Sequence, residues 1–190
     1  KIIDMLDGVA KTVDRTTKVM LKTPSCISRM ERTGVVSTET AQALGAVGMA
    51  ARSSGVDIDT RFDFNDKWYT SLDVVKPFKA TGDVHSRFKL RYKEIKQSMQ
   101  IKEFSNEPIL TNPNKTLAPN AFAISMTEGW RGEIVHIALT GANGELLRYK
   151  MKDPSFNNWY MLAMAVRNNG VSDFPLCNKS FNLSYCGNDL

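Results

Sequence analysis

"AFAISMTEGWRGEIVHIALTGANGELLRYKM", residues 121–151, contains three runs in which apolar and polar side chains alternate: "AFAISMTE", "EIVHIALTG" and "ELLRYKM". Successive side chains of a strand point to opposite faces, so each run reads as a half-buried strand. Gly141-Ala142-Asn143-Gly144, between the second and third runs, has the composition of a hairpin turn. A small antiparallel sheet of three strands follows near residues 120–151.

Working outward, Ser155 reads as the N-cap of a helix through Trp159, Tyr160, Leu162, Met164 and Val166 that ends at Asn168-Asn169-Gly170, and residues 171–190 read as a tail. Upstream, Pro108, Pro113 and Pro119 make residues 106–119 a connector. Before it, Val84, Phe88, Tyr92, Ile95 and Met99 share one face of a long helix, with Arg87, Lys89, Lys93, Lys96 and Lys102 on the other. That charged face is a solvated surface or a docking face for acidic groups. Residues 52–83, broken by Gly55, Asp57, Asp59, Asp63, Asp66, Pro77 and Gly82, read as a long irregular loop. Ser37, with Glu39 in the first turn, caps a helix rich in small residues from Ala41 to Gly48, whose short side chains admit another backbone or a ligand. Residues 2–20 repeat apolar positions at helical spacing until Pro24 stops them. The fold class is therefore α+β: mainly helical over 1–105, a small three-stranded antiparallel sheet, a helix over 155–169 and a tail, within a single domain of 190 residues.

Composition excludes more than it assigns. With 42% hydrophobic and 24% charged residues the chain is an ordinary globular one, and its apolar runs are too short to span a bilayer. A net charge of +5 permits an acidic partner without demanding nucleic acid. No apolar signal-peptide core is present, and Cys26, Cys177 and Cys186 make an odd set without paired spacing, which suits a reducing cytoplasm. Cys177 and Cys186 have eight residues between them and no His nearby, unlike a tight metal-binding pair. His85 and His136 sit in no nucleophile elbow, and no phosphate loop or dinucleotide fingerprint occurs. One stretch does carry a chemical suggestion, Thr127-Glu128-Gly129-Trp130-Arg131-Gly132-Glu133. The flanking glycines permit a sharp turn that either aims the Arg131 guanidinium into a cavity, to hold an anion or carboxylate, or leaves it on an exposed hairpin tip.

The same residues carry a resemblance. "TEGWRGEIVHIALTGANGELLRYKMKDPSFNNW", with Asp153-Pro154-Ser155-Phe156 after the hairpin, resembles the carboxyl-terminal region of the nickel-iron hydrogenase large subunit family, particularly its energy-converting, formate hydrogenlyase-like branch and the related 49-kDa subunit of complex I. "TGVVS", "GAVGMAARSSGVDIDTR", "GDVHSRFKLRYKEIKQSM" and "VSDFPL" follow the family's order from about Thr33 onward. The resemblance implies a fragment of a longer large subunit, and a tail in which two cysteines bind nickel. Register through Ser180, Phe181 and Tyr185 puts Ser184 and Gly187 in those ligand positions, with Cys186 between them. A one-residue shift brings Cys186 near one position but cannot fill two. Nickel in this family needs four soft thiolates, so the resemblance implies no metal and no cofactor on this chain, with a nickel-iron centre disfavoured. It also makes Arg131 the arginine that overhangs the old cavity, with Glu128 beside it and Asp173 as a carboxylate for it to pair with; Trp130 stands where the family has Pro.

The implied role is a metal-free, 49-kDa-like component of a complex passing electrons from NADH or ferredoxin to quinone or protons. Iron-sulfur clusters then belong to a small partner subunit, the membrane is reached only through partners, and the place is cytoplasmic, peripheral at the inner face of the cell membrane. The alternatives are a non-catalytic scaffold or assembly partner for an iron-sulfur subunit, and a basic binding module using Arg87, Lys89, Lys93 and Lys96.

Overall fold

The computed structural model describes residues 2–64, 81–100 and 116–186. Much of the loop expected over 52–83, most of the 106–119 connector, Lys102 and Gly187 lie outside them. Helices α1 (Ile2–Lys22) and α2 (Pro24–Met30) come first. Pro24 does end α1, and it does so by opening α2, since a first-turn residue needs no amide donor. The single small-residue helix expected after Ser37 is two short ones, α3 (Thr38–Ala43) and α4 (Gly48–Ser53). Ser37 caps α3 as expected, its hydroxyl accepting from the Thr40 amide. The break is built by Gly45 and Gly48, at φ of 62° and 66°, a left-handed conformation that a continuous helix through both cannot keep in its interior. α5 (Thr60–Asp63) follows, and then α6 (Val84–Gln100).

Strands β1 (Phe122–Gly129), β2 (Gly132–Thr140) and β3 (Leu146–Lys152) form the antiparallel sheet in the order β1-β2-β3. The two-residue connection Trp130-Arg131 joins β1 to β2 at the pair Gly129↔Gly132. A register shift at Leu139/Thr140 breaks the β2–β3 ladder once. α7 (Pro154–Ala165) is capped by Asp153 rather than Ser155: its carboxylate accepts from the Ser155 amide at 2.7 Å, while Ser155 itself is buried inside the first turn. The tail is largely helical, with a 3-10 turn at Val171–Asp173 and α8 over Phe174–Phe181.

The core lies among the helices. Met30, Val36, Ala41, Ala50, Ala51, Val84, Met161, Leu162, Ala165, Cys177 and Phe181 form one buried cluster, in which the alanines let α4, α6, α7 and α8 come close. The apolar face of α6 is only half right. Phe88, Tyr92, Ile95 and Met99 are partly covered, whereas the deepest positions are Val84, Arg87 and Leu90.

Candidate functional site

The Trp130-Arg131 hairpin tip is held against the helices by backbone packing. A Cβ on Gly48 would sit 2.2 Å from the Gly132 Cα and 2.6 Å from the Arg131 carbonyl oxygen, so only glycine allows this approach. Asn158, fully buried in α7, fastens the same junction: its Oδ1 accepts from the Val47 amide and its Nδ2 donates to the Val47 carbonyl, both at 3.1 Å, with the Arg131 carbonyl at 3.4 Å. The small residues between Ala41 and Gly48 thus admit a backbone, one of the two occupants their size allows.

From this anchored tip, Arg131 Nε donates to the carbonyl of Asn182, the left-handed residue that ends α8. Arg91 donates to the Ser180 carbonyl at 2.9 Å and lies over the Trp130 ring. Two guanidiniums therefore meet the free carbonyls at a helix C-terminus, where the helix dipole favours positive charge. Arg91 sits below its ordinary pKa, first through burial, with its neighbour Arg131 adding to the shift. Beyond Asn182, the Ser184 amide donates to Ser155 Oγ at 3.0 Å, its carbonyl accepts from Trp159 Nε1 at 3.3 Å, and its hydroxyl lies 3.6 Å from Cys186 Sγ. The tail thus runs beside the hairpin tip and the start of α7.

A cleft of about 390 Å³ opens on the other side of the hairpin, walled by Gly129, Trp130, Ile95 and Met99. Its floor is ionic. Arg52, 1% exposed, donates to Glu94 at 2.6 Å and to Glu128 at 2.8 Å and lies 3.2 Å from Asp59; Arg61 lies 2.6 Å from Asp59. Two cations thus face three carboxylates inside the fold. Burial opposes the charge on Arg52, but the three carboxylates outweigh it and hold the guanidinium above its usual range. Burial raises the Glu128 carboxyl, with Arg52 working against the shift. The ion pairs of the cluster fix α4, α5, α6 and β1 relative to one another.

Of the residues singled out from sequence, Glu128 and Arg131 lie at the hairpin but on opposite sides of it, Glu128 in the cleft floor and Arg131 against the tail. Asp173 is elsewhere, 3.1 Å from Arg29 and accepting from the Gly170 amide, so Arg131 takes a backbone carbonyl where a carboxylate was expected. Lys93 and Lys96 are exposed and Lys89 half-buried, but Arg87 does not belong with them. It is fully buried, donating to Ser180 Oγ, to the Gly82 carbonyl and to the Gly34 carbonyl at 2.7 to 2.9 Å, and its guanidinium packs 4.2 Å from the Phe181 ring centre. Burial with only neutral acceptors lowers its pKa to about 9. His85 lies beside Glu31 and His136 is bonded to Tyr149 across the sheet; neither lines the cleft. Sequence reasoning does not find Arg52, Asp59, Arg61, Arg91, Glu94 or Asn158, because polar side chains in a long loop or at helical spacing read as surface.

A nickel-iron centre does not fit the donors that the described residues offer. The first tail position carries the Ser184 hydroxyl, Cys186 is one exposed thiol, and among the described residues no three His, Cys, Asp or Glu side chains converge on a metal position. No described helix is long and apolar enough to cross a membrane.

Residues 1–117 match the sequence profile of the respiratory-chain NADH dehydrogenase 49 kDa subunit. Formate hydrogenlyase subunit 5 of Escherichia coli is 30% identical over 94% of this chain and 32% of its own length. The membrane-bound hydrogenase subunit alpha of Pyrococcus furiosus is 30% identical over 90% and 45%, and an NADH-quinone oxidoreductase subunit of Roseiflexus is 27% identical over 90% and 49%. The chain thus spans about a third to a half of the relatives it matches. A chain in the structure of the membrane-bound sulfane sulfur reductase, an archaeal respiratory membrane complex, superposes with a TM-score of 0.78 over 98% of this chain and 53% of its own, at 21% identity, which extends the likeness to the fold. With a sheet, hairpin and tail in the order the motifs require and a profile match over more than half its length, the chain, whose relatives include hydrogenase subunits, belongs to the respiratory-chain NADH dehydrogenase 49 kDa subunit family.

Proposed function

We propose that this chain is a metal-free, large-subunit-like component of an electron-transfer complex, working beside a small subunit that carries iron-sulfur clusters. The observation that carries the reading is at Ser184. A hydroxyl stands where the family resemblance puts a nickel thiolate, and the backbone on either side of it is fastened internally, by Ser155 and Trp159, while Arg131 holds the preceding carbonyl of Asn182. Such a tail supports a packing role rather than a ligating one. Nickel held by one thiol and a hydroxyl would lack the soft donors it needs. The partner then supplies the redox centres, and this chain supplies a fixed wall, with the Arg52 cluster setting the charge beside the cleft. Membrane contact comes through partner subunits, at the cytoplasmic face.

The test is purification of the native complex containing the full-length protein, followed by metal analysis, electron paramagnetic resonance and parallel assays of hydrogen uptake and quinone reduction. Iron-sulfur signals from a co-purifying subunit, quinone reduction and nickel below stoichiometry are the expected result. Stoichiometric nickel with hydrogen uptake overturns the metal-free reading. A complex that keeps its full electron-transfer rate after removal of this chain makes it a scaffold instead.

A further inference from the structure

The sheet is open where it leaves the helices. β3 pairs with β2 from Val135↔Lys152 to Thr140↔Leu146 and, among the described residues, with no other strand. Cross-strand partners share a face, so one face carries the rows Phe122–Leu139–Arg148 and Ile124–Ile137–Lys150. Phe122 is 64% exposed, Ile124 56% and Leu139 41%, and on β3 itself Leu146 and Tyr149 are each about half exposed. Single exposed apolar side chains are commonplace, but the adjoining Phe122, Ile124 and Leu139 make one face of the sheet a contact surface, which ends at β3 in Arg148 and Lys150, while Tyr149 lies on the opposite face. Lys152 lies 3.9 Å from Glu133, whereas Arg148 and Lys150 have no ion pair among the described residues.

We propose that the free edge of β3 docks an extended strand of a partner chain in which acidic and apolar side chains alternate. The edge offers backbone amides and carbonyls unpaired among the described residues, which supply affinity by extending the sheet. On one face, acidic side chains of the added strand would lie beside Arg148 and Lys150, at the outer ends of the apolar rows. On the other, apolar ones would lie beside Tyr149. Charged side chains on an edge also ward off pairing, but these two discriminate by sign: a basic strand meets like charges and an acidic one finds partners. The same rule turns away a second copy, since antiparallel β3–β3 pairing sets Arg148 and Lys150 against their own counterparts. β1, the other edge, has no basic side chain with which to make that selection.

The test uses the full-length protein and two fluorescent heptapeptides, one alternating Glu with Val and the other Lys with Val, with binding followed by anisotropy and the strand located by hydrogen exchange. The Glu peptide is expected to bind at least about tenfold more tightly than the Lys peptide, to weaken with added salt, and to slow exchange of amides 146–152. The double variant Arg148→Glu/Lys150→Glu is expected to reverse the preference, and Arg148→Gln/Lys150→Gln to abolish it, with circular dichroism unchanged because both side chains are exposed. No binding, equal binding of both peptides, protection of β1 instead of β3, or self-association that occupies the edge would each overturn the proposal.

Discussion

Arg52 is the cation around which Asp59, Glu94 and Glu128 close, and at 1% exposure it has no water to replace any of them. Removing it leaves three carboxylates with Arg61, and Arg91 beside Glu94, to offset their charge. Arg52→Ala is expected to cost about 3 to 5 kcal/mol, the range for breaking a buried ion pair, read as a fall in the urea midpoint of the full-length protein. Arg87 is a different buried cation, held by neutral groups alone. Its replacement by Ala leaves the Gly34 carbonyl without its donor at about 1 to 3 kcal/mol, while the Gly82 carbonyl keeps the Val36 amide, and the same measurement reads it. Neither role is legible in the sequence. An arginine at helical spacing looks the same whether its helix faces water or a second helix, and for that reason Arg87 falls in with Lys89, Lys93 and Lys96 until the fold separates them. Glu128 and Arg131 are legible as a pair because glycines flank them, a backbone signal that needs no tertiary partner.

The start of α6 is set by Asp83, whose carboxylate accepts from the Ser86 amide at 2.7 Å and from the Arg32 amide at 3.0 Å. Burial pushes this carboxyl up, but the two amides outweigh it and hold the pKa below the ordinary value. The folded protein therefore binds the proton less readily than the unfolded chain. The resulting stability is complete above the unfolded carboxylate range, about pH 4, and is lost as pH falls through the lower folded value. Asp83→Ala is expected to cost about 0.5 to 2 kcal/mol at pH 7 and to flatten the acid limb of a stability–pH curve. Gly48 governs another boundary. Gly48→Ala would place a methyl against the Gly132 Cα in a left-handed conformation, and thermal denaturation is expected to show a loss of at least about 1 to 2 kcal/mol from the backbone alone. The strands are the most legible elements, since a period of two needs no knowledge of the partner. The helix expected through Ala41–Gly48 is not, because Gly45 and Gly48 fit both a small-residue helix and the hinge between two short ones.

At the scale of the whole molecule, hairpin, tail and helices are joined through Arg131 and Asn158. Arg131→Ala is expected to speed hydrogen exchange at Asn182–Cys186 while leaving the core amides of α7 unchanged, because only the tail loses its donor. Equal acceleration throughout would show that the residue supports the global fold instead. By itself the sequence determined the α+β class, the three strands, the turn at Gly141–Gly144 and the absence of a thiolate at Ser184. These are properties of local periodicity, backbone freedom and side-chain chemistry, and they hold wherever the segment lies. Only the tertiary structure decided that Arg87 is buried, that Asp173 serves Arg29, that Glu128 and Arg131 face opposite sides of one hairpin, and that Arg52 gathers carboxylates from three separate segments. Each depends on which groups meet across dozens of residues, and the meeting is set by packing rather than by spacing along the chain.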